Sequence, residues 1–292
     1  MRATQRCGPR KLVGRYGYAR VAGVTDLRVT TRNARFQQWE ALLGNRTKRQ
    51  RTGEFLVHGV RPITLAVDHG WPLDALLYPA GRRLSKWAEE LLDTTPATRV
   101  AMDPDLLAEL GEKEAEHAPE LIAVAALPPD DLSRIPVPDD FLGVVFDRPT
   151  NPGNIGTVIR SADAFGAHGV IVGGHAADVY DPRTVRASTG SLFALPVVRA
   201  DSAATILDWI RSGPVTVRIV GTDEHGTAVI DRHDLTGPTL LVVGNETAGM
   251  SSTWRAACDD VLSIPIGGAA SSLNAANAAS IVLYEVARQR RL

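Results

Sequence analysis

The sequence predicts an α/β protein of two domains, the second built on a parallel sheet. Three observations lead there. The chain has 292 residues, with 44% hydrophobic and 22% charged side chains, which is long for one domain and globular in composition. From Phe141 onward, short apolar runs alternate with segments of helical period, the rhythm of parallel strands covered on both faces. Between the two parts lies PPDDLSRIPVPDD, residues 128–140, whose prolines suit neither helix nor inner strand.

Taken in order, residues 1–34 form a basic arm without sustained period. A helix follows over Arg35–Leu43, with Phe36, Trp39, Leu42 and Leu43 on one side, then the basic cluster Arg46, Lys48, Arg49 and Arg51. Glu54–His58 reads as a strand, Arg61–His69 as a helix ending at Gly70, Ala75–Tyr78 as a strand, and Leu84–Leu92 and Pro104–Leu110 as helices. Leu121–Leu127 is apolar throughout, hence a buried strand. These elements make a small domain over 35–128, joined by a linker at 129–140 to a second domain at 141–292. There the expected strands are Phe141–Phe146, Gly169–Val172, Pro196–Val198, Val215–Val220, Thr239–Val243 and Val261–Pro265. The helices are Thr157–Phe165, Pro182–Thr189, Ala203–Arg211, Ser252–Ala257 and Leu273–Arg290.

Charge is unevenly spread. Residues 1–61 hold 14 Lys/Arg and 3 Asp/Glu, although the whole chain is at −1. A basic arm on an acidic body suits a polyanion. If the partner is RNA, removing residues 1–33 weakens binding and flattens its salt dependence. The start is basic and lacks the apolar centre of a signal peptide, and no apolar run reaches the roughly 18–20 residues of a membrane span. Two cysteines, Cys7 and Cys258, and seven scattered histidines give neither a disulfide framework nor metal-ligand spacing. The expectation is a cytoplasmic protein without metal. No phosphate-cradling GxxxxGK[ST], no GxGxxG and no GxSxG occurs, which disfavours a nucleotide-triphosphate site, a dinucleotide site and an α/β-hydrolase.

In parallel sheets ligands meet the loops after the strand C-termini. Three such loops stand out. DRPTNPGNIGTVIRSADAFG begins at Asp147 and offers Asn154 and Arg160. LLVVGNETAGM begins at Leu240 and offers Gly244, where a ligand can approach the backbone, and the carboxylate of Glu246. The third, VLSIPIGGAASSLNAANAAS from Val261, opens the last helix; Asn274 and Asn277 share one side of it, and either Ser272 or Asn274 can be its N-cap.

The strings NPGNIGTVIRSA (151–162), VVGNETAG (242–249) and SIPIGGAASSLN (263–274) resemble, in this order, the three motifs of the SPOUT superfamily, in particular its SpoU/TrmH-type RNA ribose 2′-O-methyltransferases. RTGEFLVHGVRPI (51–63), within residues 35–127, is similar to their substrate-RNA-binding domain, with His58 where an acidic residue is usual. The resemblance implies a C-terminal trefoil knot, S-adenosylmethionine as cofactor, and a homodimer packed through the knotted domain. It implies cofactor contacts at Gly244, Ile264 and Leu273, with Thr222 and Ile266 beside them. It places the polar catalytic set at Asn154, Arg160, Glu246, Ser272 and Asn274. The basic residues Arg46, Lys48, Arg49, Arg51 and Arg61 would grip RNA phosphate, with ribosomal RNA favoured over transfer RNA. The alternatives are a SPOUT base methyltransferase and a non-catalytic RNA-binding protein of the same fold.

Overall fold

A computed structural model describes residues 26–114 and 117–291; most of the expected arm, residues 1–25, lies outside the described residues. The first sheet contains β1 (Asp26–Val29), β2 (Glu54–His58), β3 (Leu73–Pro79), β4 (Thr98–Met102) and β5 (Ile122–Ala126), in the order β1-β4-β3-β5-β2. β1, β4 and β3 run parallel, and β5 is antiparallel to both β3 and β2. Around it lie α1 (Ala34–Gly44), α2 (Arg46–Thr52), α3 (Val60–Asp68), α4 (Lys86–Thr94) and α5 (Pro104–Leu110).

Two elements here correct the sequence reading. Asp26–Val29, expected in the arm, is an edge strand, with Leu27 opposite Val100 and Val29 opposite Met102. The basic cluster is the helix α2. Its sequence RTKRQRT has no apolar face, so its ends define it. The Asn45 side chain accepts from Lys48 N at 2.9 Å, and Gly53 closes it in the left-handed conformation with φ 71°.

The second sheet is parallel throughout, in the order β10-β12-β9-β11-β6-β7-β8. Its strands are β6 (Leu142–Asp147), β7 (Gly169–Gly173), β8 (Val197–Ala200), β9 (Arg218–Thr222), β10 (Ala228–Val229), β11 (Thr239–Val243) and β12 (Asp260–Ser263). Its helices are α6 (Pro152–Ala164), α7 (Pro182–Ser188), α8 (Ser191–Ala194), α9 (Ala203–Ser212), α10 (Ser252–Ala257) and α11 (Ala275–Arg290). β6 and β11 are buried along their whole length, as strands with helices on both faces must be. From β6 the chain proceeds outward to β7 and β8, then returns to the other side at β9. The β6–β11 junction is therefore the switch point where such sheets bind ligands.

The domains share a core. Phe55 of β2 lies 4.8 Å from Tyr180 and 6.3 Å from Phe193, ring centroid to centroid, and Trp71 meets Phe193 edge-on at 5.1 Å. The proline-rich linker is packed as well: Ile135 is buried, and Arg134 donates to the carbonyls of Pro129 and Val197 at 3.0 and 3.1 Å. At the chain end, Arg290 donates to the carbonyls of Leu235, Asp140, Phe141 and Gly237, fixing α11 to the start of β6. Among the described residues no helix is long and apolar enough to cross a membrane, and no group of His, Cys, Asp and Glu has metal-binding geometry.

Candidate active site

The site begins where β6 ends. Asp147 is buried, and its carboxylate accepts from Ser251 N at 2.8 Å and from Arg148 Nε at 3.2 Å. Arg148 sits at φ 52°, which turns the chain sharply, and donates onward to Gly249 O at 3.2 Å. Asn151 then caps α6, accepting from Gly153 N at 2.8 Å and Asn154 N at 3.4 Å. Pro152 occupies the first helical position, where its missing N–H costs nothing. The helix thus starts five residues earlier than the sequence reading placed it, and Asn154 lies inside its first turn.

The second loop leaves β11 at Gly244. A Cβ there would stand 2.4 Å from Met250 N and 2.5 Å from the Gly249 carbonyl carbon, so the hairpin closes only over glycine. Asn245 ties this loop internally, accepting from Thr247 N and Ala248 N at 2.9 Å, and reaches the first loop by donating to Arg148 O at 2.7 Å.

Glu246 joins the two motifs. Its carboxylate accepts from Thr150 N at 3.0 Å, Thr150 Oγ1 at 3.2 Å, Asn151 N at 3.1 Å and Asn154 Nδ2 at 3.1 Å. Partial burial opposes ionisation, but the donors at Thr150, Asn154 and Asn151 outweigh it and hold its pKa below the usual carboxylate value. The third motif joins through Asn274, whose Nδ2 donates to Asn154 Oδ1 at 3.2 Å while its Oδ1 caps α11 at Ala276 N and Asn277 N. Of the two candidate caps, the structure selects Asn274.

Beside this network is a cleft lined by all five expected cofactor residues, Thr222, Gly244, Ile264, Ile266 and Leu273, together with Ser272 and Glu246. Ile266 and Leu273 are 38% and 37% exposed, an apolar wall suited to the face of an uncharged ring. Asp223 and Glu224 also line it, and sequence reasoning missed them, as it missed Asp147, Arg148 and Asn245. The usable signal was position, since each follows or ends a strand at the ligand-binding edge of the sheet.

Arg160 stands apart. It lies exposed on α6, not buried-facing and not at the helix start, and it does not line the cleft. Six residues beyond Asn154, it is turned about 120° from it around the helix.

The basic residues divide. Arg51 is exposed. Lys48 is half-buried, Arg46 donates to Ala176 O at 2.7 Å, and Arg61 is exposed but donates to Thr189 O at 3.3 Å. Arg49 corrects the expectation: it is 2% exposed and paired with Asp178, so it cannot reach an RNA phosphate.

Comparison with known proteins extends this picture. Residues 33–123 match the SpoU L30e-like domain, and residues 142–284 match the SpoU rRNA methylase family. The 23S rRNA (uridine(2479)-2′-O)-methyltransferase of Streptomyces viridochromogenes is 64% identical over 266 residues, covering 90% of this chain and 92% of its own. The crystal structure of the SpoU methyltransferase AviRb from the same organism, in complex with AdoMet, superposes with a TM-score of 0.85 at 63% identity, covering 89% of this chain and 99% of that one. An AdoMet-bound rRNA methyltransferase from Sinorhizobium meliloti superposes with a TM-score of 0.80 at 28% identity, covering 90% and 98%. Matched in both its parts and over nearly its whole length, the chain belongs to the SpoU rRNA methylase family.

Proposed function

We propose that the chain methylates the 2′-hydroxyl of a uridine in 23S ribosomal RNA, acting as a homodimer in the cytoplasm. The reaction class is S-adenosylmethionine-dependent methylation of a ribose 2′-hydroxyl in RNA, that of the family and of its 64%-identical relative. The single observation that carries the site assignment is the chain of hydrogen bonds Glu246–Asn154–Asn274, which binds three distant loops along one edge of the cleft.

Bound S-adenosylmethionine supplies a methyl group already activated on a sulfonium. The cleft fits it: Ile264, Ile266 and Leu273 offer apolar contact to the adenine, and Gly244 brings backbone close. What remains for the protein is alignment and charge. A guanidinium donates hydrogen bonds and accepts none; the role of Arg160 is to hold the nucleotide phosphate or to stabilise the developing oxyanion. Glu246, held by four donors, positions the 150–154 loop, and Asn154, Asn274 and Ser272 orient the acceptor and cofactor.

Because Arg160 is exposed and does not line the cleft of its own chain, a dimer is the natural way to bring it to a transfer site. Ile281 and Tyr284, 39% and 55% exposed on α11, form with Phe165 an apolar strip on the same side of the domain as α6, the kind of surface subunits cover. The test is transfer of labelled methyl from S-adenosylmethionine to purified 23S rRNA, 16S rRNA and tRNA. Labelling of 23S rRNA alone is expected; labelling of tRNA alone would refute the substrate.

A further inference from the structure

A buried charge pair sits in the seam between the domains. Arg49 of α2 is 2% exposed, and Asp178, in the loop before α7, is 7%. Arg49 Nε and one terminal nitrogen meet Asp178 Oδ2 at 2.8 and 2.7 Å. The other terminal nitrogen donates to the carbonyls of Leu42 and Leu43 at the end of α1. Asp178 Oδ1 accepts from Tyr180 N at 3.2 Å. A buried pair this fully bonded is a weak argument for stability, since apolar packing does as well, and a better one for fixing a particular arrangement.

From Asp178 the bonding continues toward the transfer site. The fully buried Thr184 of α7 directs its hydroxyl at two carbonyls, those of Asp178 and Pro152, each at 3.0 Å. Pro152 is the first residue of α6. At Gly156, about one turn further along the same helix, a Cβ would lie 2.4 Å from Thr184 O and 2.9 Å from Ser188 N, so α6 and α7 pack backbone against backbone there. Arg46 adds a second tie from α2, to Ala176 O at 2.7 Å.

We propose that Arg49, Asp178 and Thr184 are positioning residues, which carry the seating of the N-terminal domain to the first turn of α6 and so to the Asn154 amide. RNA held by the N-terminal domain is thereby registered against the transfer site. The proposal rests on the methyl-transfer reading only for its kinetic readout.

The test compares Thr184→Val, Asp178→Asn and Arg49→Lys with the parent in three measurements: single-turnover methyl transfer to 23S rRNA, S-adenosylmethionine affinity by calorimetry, and amide hydrogen exchange. Each variant is expected to slow transfer about tenfold, to keep its cofactor dissociation constant within about twofold of the parent, and to exchange faster over residues 153–157 than over β6 and β11. Parental rates in Thr184→Val, or exchange rising equally across both sheets, would overturn it. Should Asp178→Asn fail to fold, Thr184→Val decides, because its charge pair is intact. If the parent itself methylates no RNA, the functional reading falls, and the exchange pattern alone decides this proposal.

Discussion

At Arg160 the guanidinium is exposed on α6, while the carboxylate of Glu246 is wrapped by donors from the neighbouring loop. The two charges therefore answer differently to substitution. Arg160→Ala is expected to lower the rate of methyl transfer by about 10²-fold, the scale of losing one preorganised oxyanion donor, and Arg160→Lys to recover part of it. Because Arg160 does not line the cleft, calorimetry should give an unchanged affinity for S-adenosylmethionine in both. Gly244→Ala should do the reverse. Its Cβ would meet Met250 N at 2.4 Å, so the loop has to move and cofactor binding should fall by at least tenfold in the same titration. Equal cofactor affinity in Gly244→Ala and the parent would show that this backbone does not approach the ligand. At this scale the sequence was legible in residue identity and poor in direction. Asn154, Glu246 and Asn274 converge in space as their loops suggested, but nothing in RTKRQRT tells that Arg49 turns inward to an aspartate 129 positions away, whereas Arg51 faces water.

Among the elements, the turn from β2 into α3 carries a titration. His58 ends β2 in the seam, and its Nε2 has no hydrogen-bond partner. Burial, foremost, and then the Arg186 guanidinium push its pKa down from 6.5 to about 4. The folded state therefore favours neutral His58, and its contribution is fully present above pH 6.5 and is lost as pH falls toward 4. The full difference is on the order of 3 kcal/mol. Thermal unfolding followed from pH 7 to 4 should show this loss, and His58→Gln should flatten the curve across that interval; an identical pH profile in the variant would remove His58 from the account. The same scale shows where sequence reading stopped short. β2 and α5 were legible to the residue, from an apolar run bounded by Gly53 and Gly59 and from Pro104 opening an apolar period. The start of α6 was not, because PGN reads as a turn until Asn151 is seen capping it. β1 and β4 were missed because DLRV and TRVAM are short, interrupted by charged residues (Asp26 and Arg28 in one, Arg99 in the other) and only partly buried; their strand character comes from pairing with one another and with β3.

For the whole molecule, the shared aromatic core and the packed linker join the two domains into one packed body rather than two tethered ones. The proposed dimer is testable at this scale. Sedimentation velocity should find two chains in the parent and one in Ile281→Asp/Tyr284→Asp, with methyl transfer lost in the single chain. A parent that sediments as a monomer and is fully active would contradict the assembly. The parallel sheet was legible from alternation alone, and the three motifs line one edge of the cleft; the strand order that sets the switch point was not legible. The packing of the domains against each other was not, since it depends on long-range contacts such as Phe55 with Tyr180 that no local pattern announces. Ribose methylation is read by digesting 23S rRNA to nucleosides after incubation with the purified protein and isotopically labelled S-adenosylmethionine, and identifying the labelled species by mass spectrometry. The expected product is 2′-O-methyluridine carrying the label; label on a base-methylated nucleoside, with none on a ribose, would overturn ribose methylation as the activity.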